Sequence, residues 1–340
     1  MSKNICFDNS KITAIASTVG PIERIFMDDY AEFGISDEDA LKLHKNFGFN
    51  KRRVVDDRTT TVDLCLNSAR NIISNVIDCD KIEGVIFVTQ SANHQAPSSA
   101  IFMQDKLGIP KESVAFDVNL GCSGFVYGLF LASSLIETGL DNVLLMVGDV
   151  ASRLINQSDR TVAPIMGDAG SAILLQKGSS KSFFQMYSDG SGHEALIMKN
   201  SGLLRTDLSS EPVMTMDGAA VFNFTIKEVP NSIKKMLDEN NSSPETLDYF
   251  VLHQPNKYIL KNIQKRLKIP SEKIPMETQS VYGNQNSASI PGTINGFLNQ
   301  EFETKKLKCL FSGFGIGLSW GSCIVETDSI YCPKPFTYGG

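Results

Sequence analysis

The sequence predicts an α/β protein built from two similar halves, residues 1–180 and 181–340. Three observations point there. Gln104-Asp-Lys-Leu-Gly-Ile-Pro-Lys-Glu-Ser-Val114 matches Gln264-Lys-Arg-Leu-Lys-Ile-Pro-Ser-Glu-Lys-Ile274 at an offset of 160 residues, an internal repeat too long to be accidental composition. Apolar, β-branched runs alternate with helical patterns along both stretches. Several of those runs are apolar throughout, which implies largely parallel sheets with helices on their faces.

The elements follow in order. Val85-Ile-Phe-Val-Thr-Gln90 reads as a buried strand and resembles Tyr249-Phe-Val-Leu-His-Gln254 in the second copy. Each is followed by a helix that ends at Ile-Pro, as the residue before a proline leaves the helical region. A second strand ends at Asn119, the turn Gly121-Cys-Ser-Gly124 follows, and a long apolar helix pattern runs to Ile136. By the repeat, the second copy carries a strand near Ile274, then a polar turn within Val281-Tyr-Gly-Asn-Gln-Asn-Ser-Ala-Ser-Ile-Pro-Gly292 that opens a helix. A final strand pair closes each half, where Ala169-Gly-Ser-Ala-Ile-Leu-Leu175 resembles Trp320-Gly-Ser-Cys-Ile-Val325.

Composition narrows the function. A chain of 340 residues with 42% hydrophobic and 21% charged residues buries a large core and is not disordered. Its net charge of −6 argues against a nucleic-acid binder, which carries a basic excess. Seven cysteines without paired spacing and without Cys-x-x-Cys indicate a reducing compartment, no disulfide framework and no structural zinc. There is no signal-like N-terminus and no apolar run of membrane-spanning length. The expectation is a cytoplasmic protein with no metal, no nucleic acid and no membrane among its partners.

Cys122 is the leading candidate for chemistry. It sits where a strand hands over to a helix, flanked by small residues, so backbone N–H groups and the positive helix end favour its thiolate. The other six cysteines have no such surroundings. His253 follows an apolar strand at its carboxyl edge, where open α/β sheets place ligands. Asn284 lies in the polar turn, where an isolated Asn is ordinarily a cap. Ser312-Gly-Phe-Gly-Ile-Gly-Leu-Ser-Trp-Gly321 lacks a dinucleotide fingerprint. It fits a loop whose backbone N–H groups approach a ligand.

Together Gly-Cys-Ser-Gly, Met166-Gly-Asp-Ala-Gly-Ser171, His253-Gln-Pro-Asn256, the Tyr-Gly-Asn turn with Ser-Ile-Pro and the Phe-Gly-x-Gly-x-Ser-Trp-Gly stretch resemble, in order along the chain, β-ketoacyl-acyl carrier protein synthase III. The resemblance implies the thiolase-like fold, a layered α-β-α-β-α sandwich. It implies a Cys122, His253 and Asn284 triad, with an oxyanion hole from the backbone N–H groups of Cys122 and Ile316. Cys122 would take an acyl group from an acyl-CoA or acyl-carrier primer. His253 and Asn284 would hold the carbonyl of a malonyl-acyl carrier protein during decarboxylative Claisen condensation, with no cofactor. Arg160 and Asn256 occupy positions used near the pantetheine and nucleotide, and a homodimer is typical.

Departures from the pattern bear on the substrate. Ala96, before Pro97, replaces a Phe that often closes the acyl pocket and suggests a wider one. Ile316 stands where a Gly is common, so its side chain needs room. The Trp and Arg that commonly clamp the coenzyme A adenine have no counterpart in Leu41-Lys-Leu-His-Lys-Asn-Phe-Gly48. Lys257, Lys261 and Lys265 recur at every fourth position behind His253 and form a basic helix stripe suited to an acidic carrier protein. Two other readings stay open: acyl transfer to oxygen, nitrogen or sulfur, and a non-catalytic partner subunit with a vestigial site.

Overall fold

The computed structural model describes residues 3–32, 34–210 and 212–340. Two sheets organise them. The larger has the strand order Phe336–Thr337, Ser10–Val19, Ala169–Lys177, Asn142–Asp149, Gly84–Val88, Val114–Val118. The smaller has the order Ile5–Phe7, Ser182–Ser188, Ser319–Thr327, Leu307–Gly315, Tyr249–Leu252.

Strand periodicity explains the layering. In Gly84–Val88, Ile86 and Val88 face one side while Val85 and Phe87 face the other, and all four are sealed from solvent. Ile86 and Val88 pack on the helix Gly124–Glu137, which with Ser289–Phe297 lies between the two sheets; Phe125, Leu129 and Ile290 meet Val251 and Phe311 of the other sheet there. Val85 and Phe87 pack outward on the helices Thr61–Asn75 and Ser99–Lys106. The outer face of the smaller sheet is covered by Gly218–Glu239 and Lys257–Leu267 through Ile233, Met236, Leu260 and Ile263. The result is the five-layer α-β-α-β-α sandwich. Each fully buried Phe or Leu stabilises it by about 1.5–3 kcal/mol over exposure.

Local signals set the helix ends. Thr60 and Asp63 form a reciprocal capping box ahead of Thr61–Asn75. Asn256 accepts the Ile259 N–H at the start of Lys257–Leu267.

The duplication appears as topology. In the first copy, Ser10–Val19, Ala169–Lys177, Asn142–Asp149 and Gly84–Val88 run antiparallel, antiparallel, parallel. In the second, Ser182–Ser188, Ser319–Thr327, Leu307–Gly315 and Tyr249–Leu252 repeat that order and those senses.

Two expectations need correction. The sheets are mixed rather than largely parallel, because each closing strand pair is antiparallel; in the second copy a tight turn at 316–318 joins the pair, and a parallel pair would need a long crossover. Among the described residues the second copy also has no counterpart of Val114–Val118. Ile274 lies outside any strand, bracketed by Pro270 and Pro275, and the latter removes the N–H that a ladder would use. The termini cross over as well: Ile5–Phe7 pairs in the smaller sheet and Phe336–Thr337 in the larger.

Candidate active site

The two central helices begin at the same place. Cys122 sits just before Ser123, the N-cap of Gly124–Glu137, in a turn closed by the Gly124 N–H to the Gly121 carbonyl at 2.7 Å. The segment Asn284–Ala288 leads into Ser289–Phe297. The Gly-rich stretch is the tip of the hairpin Leu307–Gly315/Ser319–Thr327 and lies against Cys122. A β-carbon on Gly315 would stand 2.7 Å from Cys122 Cβ and 3.0 Å from its Sγ, so only glycine lets the hairpin approach the thiol. That approach turns the Ile316 backbone N–H to the sulfur, beside the N–H of Cys122 itself. The Ile316 side chain finds its room against the apolar cluster of Ile155, Val162, Ala163, Met166 and Met214.

His253 ends the strand Tyr249–Leu252 and is held by its own N–H to the Ser312 carbonyl at 2.8 Å. Its Nδ1 lies 2.8 Å from Ser289 Oγ, and the ring meets Phe314 edge-on at 5.4 Å. Ser289 Oγ also donates to the Asn286 carbonyl at 2.8 Å and receives the Gln254 N–H at 3.4 Å. Nε2 has no hydrogen bond among the described residues.

Asn284 is pinned by the other half of the molecule. Its N–H donates to Ile165 O at 2.8 Å, and its carbonyl accepts the Gly167 N–H at 3.0 Å. A β-carbon on Gly167 would stand 1.9 Å from the Tyr282 carbonyl, which explains the glycine of the Met166-Gly-Asp segment. Asn284 Oδ1 accepts the Asn286 N–H at 3.1 Å, leaving Nδ2 without a partner among the described residues.

Asn286 links these groups. Its Oδ1 accepts the Cys122 thiol at 3.5 Å, and its Nδ2 donates to Asp149 Oδ2 at 3.2 Å. Cys122, His253 and Asn284 are therefore joined through the turn 284–289, with no direct hydrogen bond between Cys122 and His253. Asp149, Asn286 and Ser289 were not anticipated. The available signal was an acid ending the apolar run Val143-Leu-Leu-Met-Val-Gly148, since a carboxylate at the inner end of a buried strand must find donors.

Electrostatics revise one expectation. Burial pushes the Cys122 thiol up to about 12, and the charge of Asp149 adds to it, while the N–H groups of Cys122 and Ile316 oppose both. The donors foreseen for the thiolate are present but outweighed, so the resting residue is a thiol. Burial pushes His253 down to about 3, leaving a neutral imidazole at physiological pH.

The remaining candidates lie further out. Ala96 is exposed on the segment before Ser99–Lys106, so within this chain it does not close a pocket around Cys122. Arg160 is exposed and makes no ion pair among the described residues. Asn256 Oδ1 is occupied in capping its helix. Lys257, Lys261 and Lys265 are all exposed along one face of that helix, opposite buried Leu260 and Ile263. No helix of the described residues is long and apolar enough to cross a membrane.

Comparison with known proteins places the chain in a family. Residues 116–190 match the family model 3-oxoacyl-[acyl-carrier-protein (ACP)] synthase III, and residues 237–327 match its C-terminal model. A β-ketoacyl-[acyl-carrier-protein] synthase III of Streptococcus mutans is 33% identical over 93% of this chain and 99% of its own. One of Streptococcus uberis is 34% identical over 82% and 88%. The crystal structure of a 3-oxoacyl-(acyl-carrier protein) synthase from Burkholderia xenovorans superposes with a TM-score of 0.93 at 30% identity, covering 99% of each chain.

Proposed function

The chain belongs to the 3-oxoacyl-[acyl-carrier-protein] synthase III family, and from that premise we propose that it catalyses decarboxylative condensation of an acyl primer with a malonyl thioester in two half-reactions at Cys122. In the first, Cys122 Sγ attacks the primer's thioester carbonyl. The new C–S bond replaces the old one, and the thiol proton leaves on the released carrier thiol. The tetrahedral oxyanion is held by the N–H groups of Cys122 and Ile316. The observation that carries this reading is their convergence on one sulfur, made possible by Gly315.

In the second half-reaction a malonyl thioester enters. His253 Nε2 and Asn284 Nδ2, the two groups left without partners, donate to its thioester carbonyl. The carbon–carbon bond to the carboxylate breaks, carbon dioxide departs, and the electron pair is held as an enolate. The enolate carbon attacks the acyl-Cys122 carbonyl, a carbon–carbon bond forms, the C–S bond breaks, and the sulfur takes up a proton from solvent. For His253 to donate, its proton must be on Nε2 and Nδ1 must accept. The Ser289 hydroxyl, 2.8 Å from Nδ1, meets that need by giving up its bond to the Asn286 carbonyl and turning its hydrogen to the ring. Simple transfer to a heteroatom needs no such pair of donors, so condensation is the reading we favour.

We place carrier-protein docking on Lys257, Lys261 and Lys265, along the exposed face of the helix that follows His253, where acidic side chains would be attracted. Arg160, exposed and unpaired, is the group we assign to a phosphate of the incoming donor, with Asn256 Nδ2 toward its pantetheine arm. We also read the enzyme as a homodimer, in which Ala96 of one copy faces the acyl pocket of the other.

Intact-protein mass spectrometry after incubation with a panel of acyl-CoA and acyl-carrier donors tests the first half-reaction. The expected result is an adduct that tracks one chain length and is absent in Cys122→Ala. No adduct from any donor would defeat the covalent mechanism.

A further inference from the structure

One buried acid at the site takes no part in the condensation as described. Asp149 closes the strand Asn142–Asp149 and has no exposed surface. Its Oδ1 accepts Thr89 Oγ1 at 3.0 Å, the Gln90 N–H at 2.8 Å and Ser91 Oγ at 2.9 Å. Its Oδ2 accepts Asn286 Nδ2, and the other end of that amide lies 3.5 Å from Cys122 Sγ. Asn286 itself has φ +48°, a left-handed conformation that Asn tolerates better than most residues. It is thus held from both its backbone and its amide.

The chemistry of the pair fixes its polarity. A carboxylate only accepts, so the amide nitrogen must face Asp149 and the carbonyl must face the sulfur. A carbonyl only accepts as well, so its contact with Cys122 requires an S–H; a thiolate there would meet a carbonyl dipole of like sign. We infer that Asp149 and Asn286 form a latch that holds unacylated Cys122 as a thiol. Asn286 touches the reacting sulfur, and Asp149 is a positioning residue that keeps the amide from turning over. The latch shields a buried nucleophile from stray electrophiles and oxidants, which react with the thiolate. The titratable groups facing Asp149 are Cys122 and, from Thr61–Asn75, Cys65; its charge raises both. No cation pairs with it among the described residues. The inference rests on the reading of Cys122 as nucleophile.

The test is the pH profile of Cys122 alkylation by iodoacetamide on the full chain, read by peptide mass spectrometry. Asn286→Gly keeps the left-handed backbone and the Asp149 carboxyl but removes the carbonyl that faces the sulfur, along with the amide N–H on Asp149 Oδ2. Asp149→Asn keeps the shape but lets the amide turn and present N–H to sulfur. Both are expected to lower the midpoint by about one pH unit, so that alkylation at neutral pH rises roughly tenfold. An Asn286→Gly midpoint that stays at the wild-type position, or moves up, overturns the latch. A shift confined to Asp149→Asn does so too, because charge alone would explain it. Should Asn286→Gly fail to fold, Asn286→Ser, whose hydroxyl can donate, must show the same downward shift. Acylation of Cys122 with an unmoved alkylation midpoint defeats the latch alone. Absence of acylation defeats the functional reading, while the alkylation profile still reports on the latch.

Discussion

The helices Gly124–Glu137 and Ser289–Phe297 are duplicates in position, yet their first turns carry opposite chemistry. The first presents one thiol among backbone donors. The second presents side-chain amides and a hydroxyl, from Asn284, Asn286 and Ser289. The preceding strand ends diverge in the same way: Thr89 is spent on holding Asp149, whereas His253 in the matching position keeps Nε2 unengaged. Two equivalent helix starts come to one place, and in the function we propose they divide covalent capture from carbanion stabilisation. Neither copy is complete alone, since Ile165 and Gly167 of the first pin Asn284 of the second.

The division of labour is tested most severely at its two poles. Cys122→Ala is expected to remove the acyl adduct and to lower condensation on the order of 10³-fold or more, measured as product per enzyme. His253→Ala is expected to lower condensation about 10²- to 10³-fold while the adduct still forms; loss of both together would collapse the distinction between the copies. Gly167→Ala probes the link between them. Its new methyl collides with the Tyr282 carbonyl, so denaturant unfolding should show a loss of about 1–3 kcal/mol, with condensation impaired more than acylation.

Acid stability separates His253 from Asp149. His253 is held near 3 in the folded chain, below its ordinary 6.5. Between those values the unfolded chain binds the additional proton, and stability falls with pH by up to about 1.4 kcal/mol per unit. Burial raises Asp149 to about 6 from 3.8, so its contribution has the opposite sign: present at low pH and lost as pH rises through about 6. His253→Gln should therefore flatten the acid limb of a stability profile, and Asp149→Asn should steepen it. The smallest effect is at the surface. Reversing Lys257, Lys261 and Lys265 to Glu should raise KM several-fold for carrier-bound malonyl substrate at low salt and leave malonyl-CoA unchanged.

Much of this arrangement was legible in the residues. The repeat pointed to the matching strands Gly84–Val88 and Tyr249–Leu252 and to the matching closing pairs, because a duplicated core must bury its apolar strands in the same way twice. Cys122 stood out because glycines and a helix start surrounded it. The missing strand at Ile274 was hidden because repeat matching carries over identity without testing ladder hydrogen bonds, and Pro275 has none to give. Asp149 and Asn286 escaped for another reason: an acid after an apolar run and one Asn among several are ordinary until a contact across 137 positions joins them. The protonation of Cys122 could not be read locally either, since burial and a distant carboxylate decide it.

The crossed termini carry a consequence for how the chain is made. Ile5 cannot find its partner until Phe184 has been synthesised, and Thr18 waits for Phe336 to complete its neighbourhood. A nascent chain leaving the ribosome therefore cannot finish one half and move on to the next; Ile5–Phe7 joins the later sheet, and Phe336–Thr337 returns to the earlier one. Folding is closed by an exchange of ends, which ties the two copies into a single cooperative unit. A fragment cut at the midpoint would leave each sheet with an open edge where the other half's terminus belongs.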